Sequence, residues 1–90
     1  MKAVMLYDLA PGAMELARTH LPAHRARLED FARRGLMFMA GPFADPKDGA
    51  MGVFASKEAA EEFMKDDPFL LHGVVAKWRL MKWNETFFSV

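Results

Sequence analysis

The sequence predicts an α+β domain whose elements follow one another in the order β-α-β-β-α-β. Four short apolar runs predict strands, and between them lie two segments whose apolar residues recur at helical spacing. Glycine and proline separate most of these segments, as is typical of turns. The 90 residues suffice for one such domain but not for two independent cores, so we expect a single domain over residues 1–90.

The first half of the chain predicts one β-α-β unit. Ala3–Tyr7 is a short apolar run and predicts the first strand, which the following Pro-Gly pair ends. Ala13–Thr19 predicts a short helical stretch of its own. Pro22 predicts the first turn of a separate helix, because the N–H group that proline lacks has no partner at that position. Gly35 ends this helix as a residue suited to follow a helix C-terminus.

The second half predicts the remaining strands and the second helix. Leu36–Ala40 and Ala50–Ala55 predict two strands that a polar turn connects. Ser56 predicts the N-cap of the second helix, which ends near Asp67 because the residue before a proline avoids the helical region. Val74–Trp83 predicts the last strand. Handedness rules and short connections give one antiparallel sheet with both helices on one face, the ferredoxin-like fold.

The predicted strands are apolar on both faces, although two helices cover only one face. In the second strand one side carries Leu36, Phe38 and Ala40, and the other carries Met37, Met39 and Gly41. Large exposed apolar patches mark interfaces. We therefore expect a homodimer through the sheet face, with Phe87 and Phe88 of the C-terminal tail reaching across. A monomer with an unusually apolar surface is the alternative.

Composition narrows the classes of partner and cofactor. The twelve Lys and Arg residues balance the twelve Asp and Glu residues, so a nucleic-acid partner has no electrostatic basis. No run approaches the ~18 apolar residues of a transmembrane helix, and the N-terminus has no signal-peptide pattern. The chain has no cysteine and three dispersed histidines, which predicts a cytoplasmic protein without a metal site. We expect no cofactor, no membrane and no nucleic acid.

Two polar residues fall where the predicted helices should be apolar. His24 lies on the helical stripe of Leu21, Leu28 and Phe31, and Asp67 continues the stripe of Ala60, Phe63 and Met64. A helix that covers a sheet turns such a stripe inward, and a titratable group there needs a partner. We predict that the His24 imidazole and the Asp67 carboxylate pair with each other.

Such a pair suits acid/base chemistry. A carboxylate beside an imidazole fixes its tautomer and gives an acid or base that works near neutral pH. We expect His24 to be the general acid/base and Asp67 its orienting partner, with Tyr7 and Arg27 positioning a substrate. Proton abstraction next to a carbonyl, elimination of a leaving group and tautomerisation of a phenol-like ring are the natural reactions. A buried hydrogen bond that merely fixes helix packing is the alternative.

Several short motifs follow one another along nearly the whole chain. They are Ala23–Leu28, Ala40-Gly41-Pro42, Gly49, Glu58-Ala59-Ala60, Asp67-Pro68-Phe69, Gly73 and Trp78. In this order and spacing they resemble the YCII-related family. The resemblance implies a dimeric α/β barrel of ferredoxin-like chains and a candidate active site at His24 and Asp67. In one branch it implies dehydrochlorination of chlorinated hydroxyhydroquinones. The loop Phe43–Gly49 is shorter than the family pattern.

The residues and the resemblance together predict a cytoplasmic homodimer with a small pocket at His24 and Asp67. We expect it to act on a small aromatic or enol-type acid by proton transfer or elimination. Two alternatives stay open. One is a non-catalytic small-molecule-binding or dimerisation module that serves another enzyme. The other is a cofactor-free, monooxygenase-like dimeric barrel that oxidises quinol-type substrates.

Overall fold

A four-stranded antiparallel sheet with helices against it forms the fold. The computed structural model describes residues 1–89. Its strands and helices are β1 (Lys2–Leu9), α1 (Met14–Arg33), β2 (Met37–Pro42), β3 (Ala50–Phe54), α2 (Lys57–Lys65), α3 (Pro68–Leu71) and β4 (Val75–Trp83), with a 3₁₀ turn at Pro46–Asp48. The spatial order β2-β3-β1-β4 puts β1 in the centre of the sheet. The predicted α+β class and antiparallel sheet are confirmed.

The core lies between the helices and one face of the sheet. Alternation along β1 buries Ala3, Met5 and Tyr7, while the residues between them are only half-buried on the other face. The core is completed by Phe31 of α1 and Phe63 of α2, whose rings meet edge to face at 5.3 Å. Burial of such large side chains is the main stabilising contribution to a small domain.

The first helical region is one helix, so the prediction of two separate helical segments is wrong. Helix α1 runs unbroken through Pro22. An internal proline leaves the carbonyl four residues earlier, that of Arg18, without its helical partner. Both residues are exposed, so water can hydrogen-bond that carbonyl. Apolar residues recur at helical spacing on both sides of Pro22, from Ala17 and Leu21 to Leu28 and Phe31, so the two parts form one continuous helix.

A bulge interrupts the alternation predicted for β2. Met37 pairs with Phe54 and Met39 pairs with Val53, so the register shifts by one residue between the two pairs. The prediction that both methionines share a face is therefore wrong. Met37 is buried with the core, whereas Met39 is 64% exposed on the other face.

The second helix ends before Asp67. The predicted N-cap is present, because the Ser56 hydroxyl accepts the N–H of Ala59 at 3.0 Å. Helix α2 stops at Lys65, so the prediction that Asp67 continues its inward stripe is wrong. Asp67 is instead the N-cap of α3, and Pro68 occupies the first helical position after it. The predicted burial of Asp67 is nevertheless correct, since it is 0% exposed.

Candidate functional site

Asp67 is a fully buried carboxylate that hydrogen-bond donors surround. Its Oδ1 atom accepts the backbone N–H of Phe69 at 3.2 Å, which caps α3. The same oxygen lies 2.6 Å from Nδ1 of His24, and Oδ2 accepts the hydroxyl of Tyr7 at 2.6 Å. A buried carboxylate is stable only when such bonds replace its hydration. Strand β1 and helices α1 and α3 thus meet at Asp67.

His24 lies between this carboxylate and open space. Its ring stacks on Phe69 with centroids 3.8 Å apart and an interplanar angle of 1°, and Phe63 meets it edge-on at 6.0 Å. The predicted contact with Asp67 is present through Nδ1. Among residues 1–89, Nε2 has no hydrogen-bond partner, and it is not among the buried unpartnered atoms. Nε2 is therefore the accessible ring nitrogen.

Tyr7 is the third side chain of the site. It lies on the central strand β1, is 2% exposed and donates its hydroxyl to Asp67. Burial raises the pKa of Tyr7 far above its ordinary value, and the hydrogen bond to Asp67 and the charge of Asp67 raise it further. The phenol thus stays protonated. In this structure the hydroxyl bonds Asp67. The predicted contact of Tyr7 with a substrate stays a prediction.

Arg27 serves the packing of two helices in this structure. Its Nε donates to the carbonyl of Phe63 at 2.9 Å and its Nη2 donates to the carbonyl of Glu62 at 2.7 Å. These carbonyls belong to the last turn of α2, where a cation interacts favourably with the helix dipole. The guanidinium also lies 4.9 Å from the ring centre of Phe31. Arg27 does not line the cavity beside His24, so its predicted substrate contact stays a prediction.

An apolar cavity of about 740 Å³ lies beside His24, between α1 and the strands. Several residues of α1 line it, and two of these apolar side chains stay accessible, since Met14 is 56% and Leu21 46% exposed. The other apolar lining residues include Met5, Leu28, Met37, Phe43 and Phe69. A cavity of this size and character suits a small organic molecule.

Charge enters the cavity lining through Arg25 and Glu29 of α1. Their side chains approach to 3.4 Å, and both are largely exposed.

Within residues 1–89, no group of three His, Cys, Asp or Glu side chains could hold a metal ion. In the same part of the chain, every helix is too short or too polar to cross a bilayer.

The sequence predicts the contact between His24 and Asp67 but not the side chains that surround it. Phe69, which stacks on the imidazole, was noticed only as part of a motif. A signal for its placement exists, because Asp followed by Pro is a helix start and puts the next residue in the first turn. The bond between Tyr7 and Asp67 joins residues 60 positions apart, and no local pattern reveals it.

Three solved structures share this fold. One is 5-chloro-2-hydroxyhydroquinone dehydrochlorinase (TftG) from Burkholderia phenoliruptrix AC1100 in complex with 2,5-dihydroxybenzoquinone. It has 23% sequence identity and a TM-score of 0.79, with 96% of each chain covered. A nipsnap family protein of unknown function from Agrobacterium tumefaciens C58 has 16% identity and a TM-score of 0.56, covering 98% of this chain and 89% of that one. A protein from Arabidopsis thaliana has 20% identity and a TM-score of 0.51, covering 99% and 98%.

At these sequence identities the solved structures show a common fold only. The function has to be argued from the residues of the site. No curated protein matches the chain. The model of the YCII-related domain matches residues 1–84, which is nearly the whole sequence. The chain therefore belongs to the YCII-related domain family, as its motifs predicted.

Proposed function

We propose that this protein is a cytoplasmic homodimer that performs acid/base chemistry on a small aromatic or enol-type acid. The reaction is a proton transfer or an elimination, and His24 and Asp67 carry it. The observation behind the proposal is the 2.6 Å contact between Nδ1 of His24 and Asp67, with the opposite ring nitrogen accessible beside a cavity. That arrangement is what a general base requires.

The site supplies each part of an elimination. Nε2 of His24 takes a proton from the substrate, and the electron pair left behind forms a new double bond. The leaving group departs with its own bonding pair. The Asp67 carboxylate stabilises the imidazolium that forms, and its complete burial strengthens this attraction. Proton transfer without a leaving group uses the same residues.

The substrate class has two supports. The structurally similar Burkholderia protein is a dehydrochlorinase of a chlorinated hydroxyhydroquinone and was solved with a quinone bound. In the present chain, Phe69 and the methionines offer apolar surfaces to a ring, and Arg25 offers a cation to an acidic substituent. Flexible methionine side chains adapt to irregular ligands.

Replacing His24 by asparagine tests the proposal. The amide can keep a hydrogen bond to Asp67, but it removes the ring nitrogen that faces the cavity. With 5-chloro-2-hydroxyhydroquinone as probe, we expect chloride release by the native protein and a loss of about 10²-fold or more in the variant. Thermal shift measures binding separately, since a ligand at about 100 times Kd adds about 2.7 kcal/mol.

His20→Asn is the matched control, because His20 lies one turn earlier on α1 and does not line the cavity. It should keep the native rate. Equal chloride release by native protein and folded His24→Asn would contradict the proposal. Binding without any turnover would favour the non-catalytic module, and oxygen consumption would favour the monooxygenase-like alternative.

The homodimer is supported by the sheet face that the helices leave uncovered. The register places Leu6 opposite Met51, Val53 opposite Met39 and Val4 opposite Met81 on that face. Trp83 on the same face is 44% exposed, and Phe87 of the tail is 85% exposed. Arg79, which pairs with Leu6, also lies on this face. Exposed apolar residues grouped in this way are typical of an interface.

Light scattering checks this assembly. We expect a mass near twice the 10.2 kDa of one chain at micromolar concentration. Met39→Lys should shift the mass toward one chain, because it puts an unpaired charge into the buried face. Leu71→Lys is the matched control, since Leu71 is 60% exposed on α3, away from the sheet face. A native mass of one chain would rule out the dimer.

A further inference from the structure

We infer that Phe69 is a positioning residue that fixes the plane of the His24 imidazole. The Asp67 carboxylate contacts one ring nitrogen and the Phe69 ring covers one ring face, so Nε2 stays where it can reach a substrate in the cavity. This inference rests on the proposed function of His24 for its meaning. Its first test, the mobility of the imidazole, needs no turnover.

The contact with Asp67 alone does not fix the tilt of the imidazole. The 2.6 Å contact between Nδ1 of His24 and Oδ1 of Asp67 holds a single atom of the ring. The plane of the ring stays adjustable, because the χ2 torsion of histidine has broad energy minima. A tilt carries Nε2 away from the direction in which it accepts a proton. A second contact is therefore needed to hold the general base in line.

Phe69 supplies that second contact through the face of its ring. The centroids of the two rings lie 3.8 Å apart, with 1° between the ring planes. Carbon atoms at such a separation are in van der Waals contact. The imidazole therefore cannot tilt toward Phe69 without pushing a ring that is itself packed against the core cluster. Phe63, at 6.0 Å and 74°, is a more distant neighbour of the imidazole.

One short segment carries both groups that hold His24. Asp67 is the N-cap of α3, and Phe69 lies two residues later in the first turn of that helix. The backbone N–H of Phe69 donates to Oδ1 of Asp67 at 3.2 Å, and this oxygen also contacts Nδ1 of His24. Pro68 between them has a restricted φ. The carboxylate and the Phe69 ring thus form one rigid unit beside the imidazole.

A second ring pair between α1 and the α3 segment provides an internal comparison. His20 stacks on His72, the C-cap of α3, with centroids 3.9 Å apart and 4° between the planes. His20 lies one turn before His24 on α1. In the described part of the chain, neither His20 nor His72 lines the cavity. If both stacks only packed α1 against α3, losing either one would have the same effect on His24.

The stack also restricts how a substrate meets His24. Phe69 covers one face of the imidazole, and a ring nitrogen accepts a proton in the plane of its ring. A substrate therefore presents its acidic O–H or C–H group to the edge of His24 at Nε2. The proton moves to Nε2, and the electron pair stays on the substrate. This geometry favours a flat ring with the acidic group on its rim, as in a hydroxylated aromatic compound.

Phe69→Leu removes the stacked ring but keeps an apolar side chain and the backbone N–H that bonds Asp67. Carbon-13 NMR relaxation of the Cε1–H group measures the mobility of the His24 ring, and the signal lost in His24→Asn identifies it. We expect a rigid ring in the native protein and a mobile ring in Phe69→Leu. With 5-chloro-2-hydroxyhydroquinone as probe, kcat should fall by roughly 10-fold to 10²-fold, with a smaller change in KM.

His72→Leu is the matched control, because it removes one ring of the other stack between α1 and the α3 segment. It should leave the mobility of His24 and kcat unchanged. Equal loosening of His24 in both variants would overturn the inference, as would a rigid His24 or an unchanged kcat in folded Phe69→Leu. A mobile His24 in the native protein would overturn it even if the variant does not fold. The expected relaxation result in a native protein that releases no chloride would count against the proposed function alone.

Discussion

Asp67→Ala is expected to lower the free energy of unfolding by about 3–5 kcal/mol, the range for breaking a buried charged pair by removing one partner. The Tyr7 hydroxyl and Nδ1 of His24 both lose their acceptor inside the protein. Each buried orphaned donor costs roughly 1–3 kcal/mol, and loss of the α3 N-cap adds about 1 kcal/mol. These contributions share one cavity and are not additive. Urea unfolding measures the total.

The neighbouring residue provides a matched control. Asp66 carries the same side chain one position earlier but is exposed at the end of α2. Asp66→Ala should change the stability by no more than about 0.5 kcal/mol. A loss below about 1 kcal/mol for Asp67→Ala would mean that the hydrogen bonds to this carboxylate contribute little net stability.

Gly49→Ala is expected to cost roughly 3 kcal/mol or more and to disturb the site from a distance. Gly49 follows the 3₁₀ turn with φ +81° and ψ −144°, a conformation that is close to one occupied essentially by glycine alone. A Cβ atom there would lie 1.9 Å from the carbonyl oxygen of Tyr7. That oxygen belongs to the central strand β1 and cannot move without breaking its pairing with β3.

Gly35→Ala separates the cost of a positive φ from the cost of a steric clash of the new Cβ atom. Gly35 has a similar φ of +74°, but a Cβ atom there meets nothing within 4 Å. It should cost only about 1–2 kcal/mol, the penalty for a left-handed residue. The difference between the two variants in thermal unfolding then measures the contact with the Tyr7 backbone. Equal losses would show that β1 yields to the extra atom and that Gly49 does not hold Tyr7 in place.

Alternation and helical spacing predicted most of the fold. The apolar runs gave the four strands, and Ser56 gave the start of α2, because these signals are local in the chain. The errors arose where tertiary packing overrides a local preference. Pro22 normally starts or breaks a helix, yet α1 continues through it and keeps its apolar spacing on both sides. The bulge after Met37 likewise depends on the partner strand, which local sequence does not encode.

The part of the candidate site that could be predicted is the part that follows from the burial of His24 and Asp67. A histidine and an aspartate on apolar stripes need partners, and the pair follows from that requirement. The prediction for Asp67 was right about burial and wrong about its helix, since the carboxylate caps α3 instead of extending α2. The partner of the Tyr7 hydroxyl could not be assigned, because nothing in a strand pattern shows which carboxylate the single tyrosine of the chain meets.

The central place of β1 also has a consequence for the order in which the chain is made. Residues 2–9 are synthesised before both strands that pair with them, β3 and β4, and β4 ends at residue 83. Until then the apolar β1 has two open edges, which are prone to pair with other chains. Folding waits for contacts between distant residues and is correspondingly slow to nucleate. Tyr7 and His24, which lie 60 and 43 residues before Asp67 in the chain, thus meet it only when synthesis of the sheet is complete.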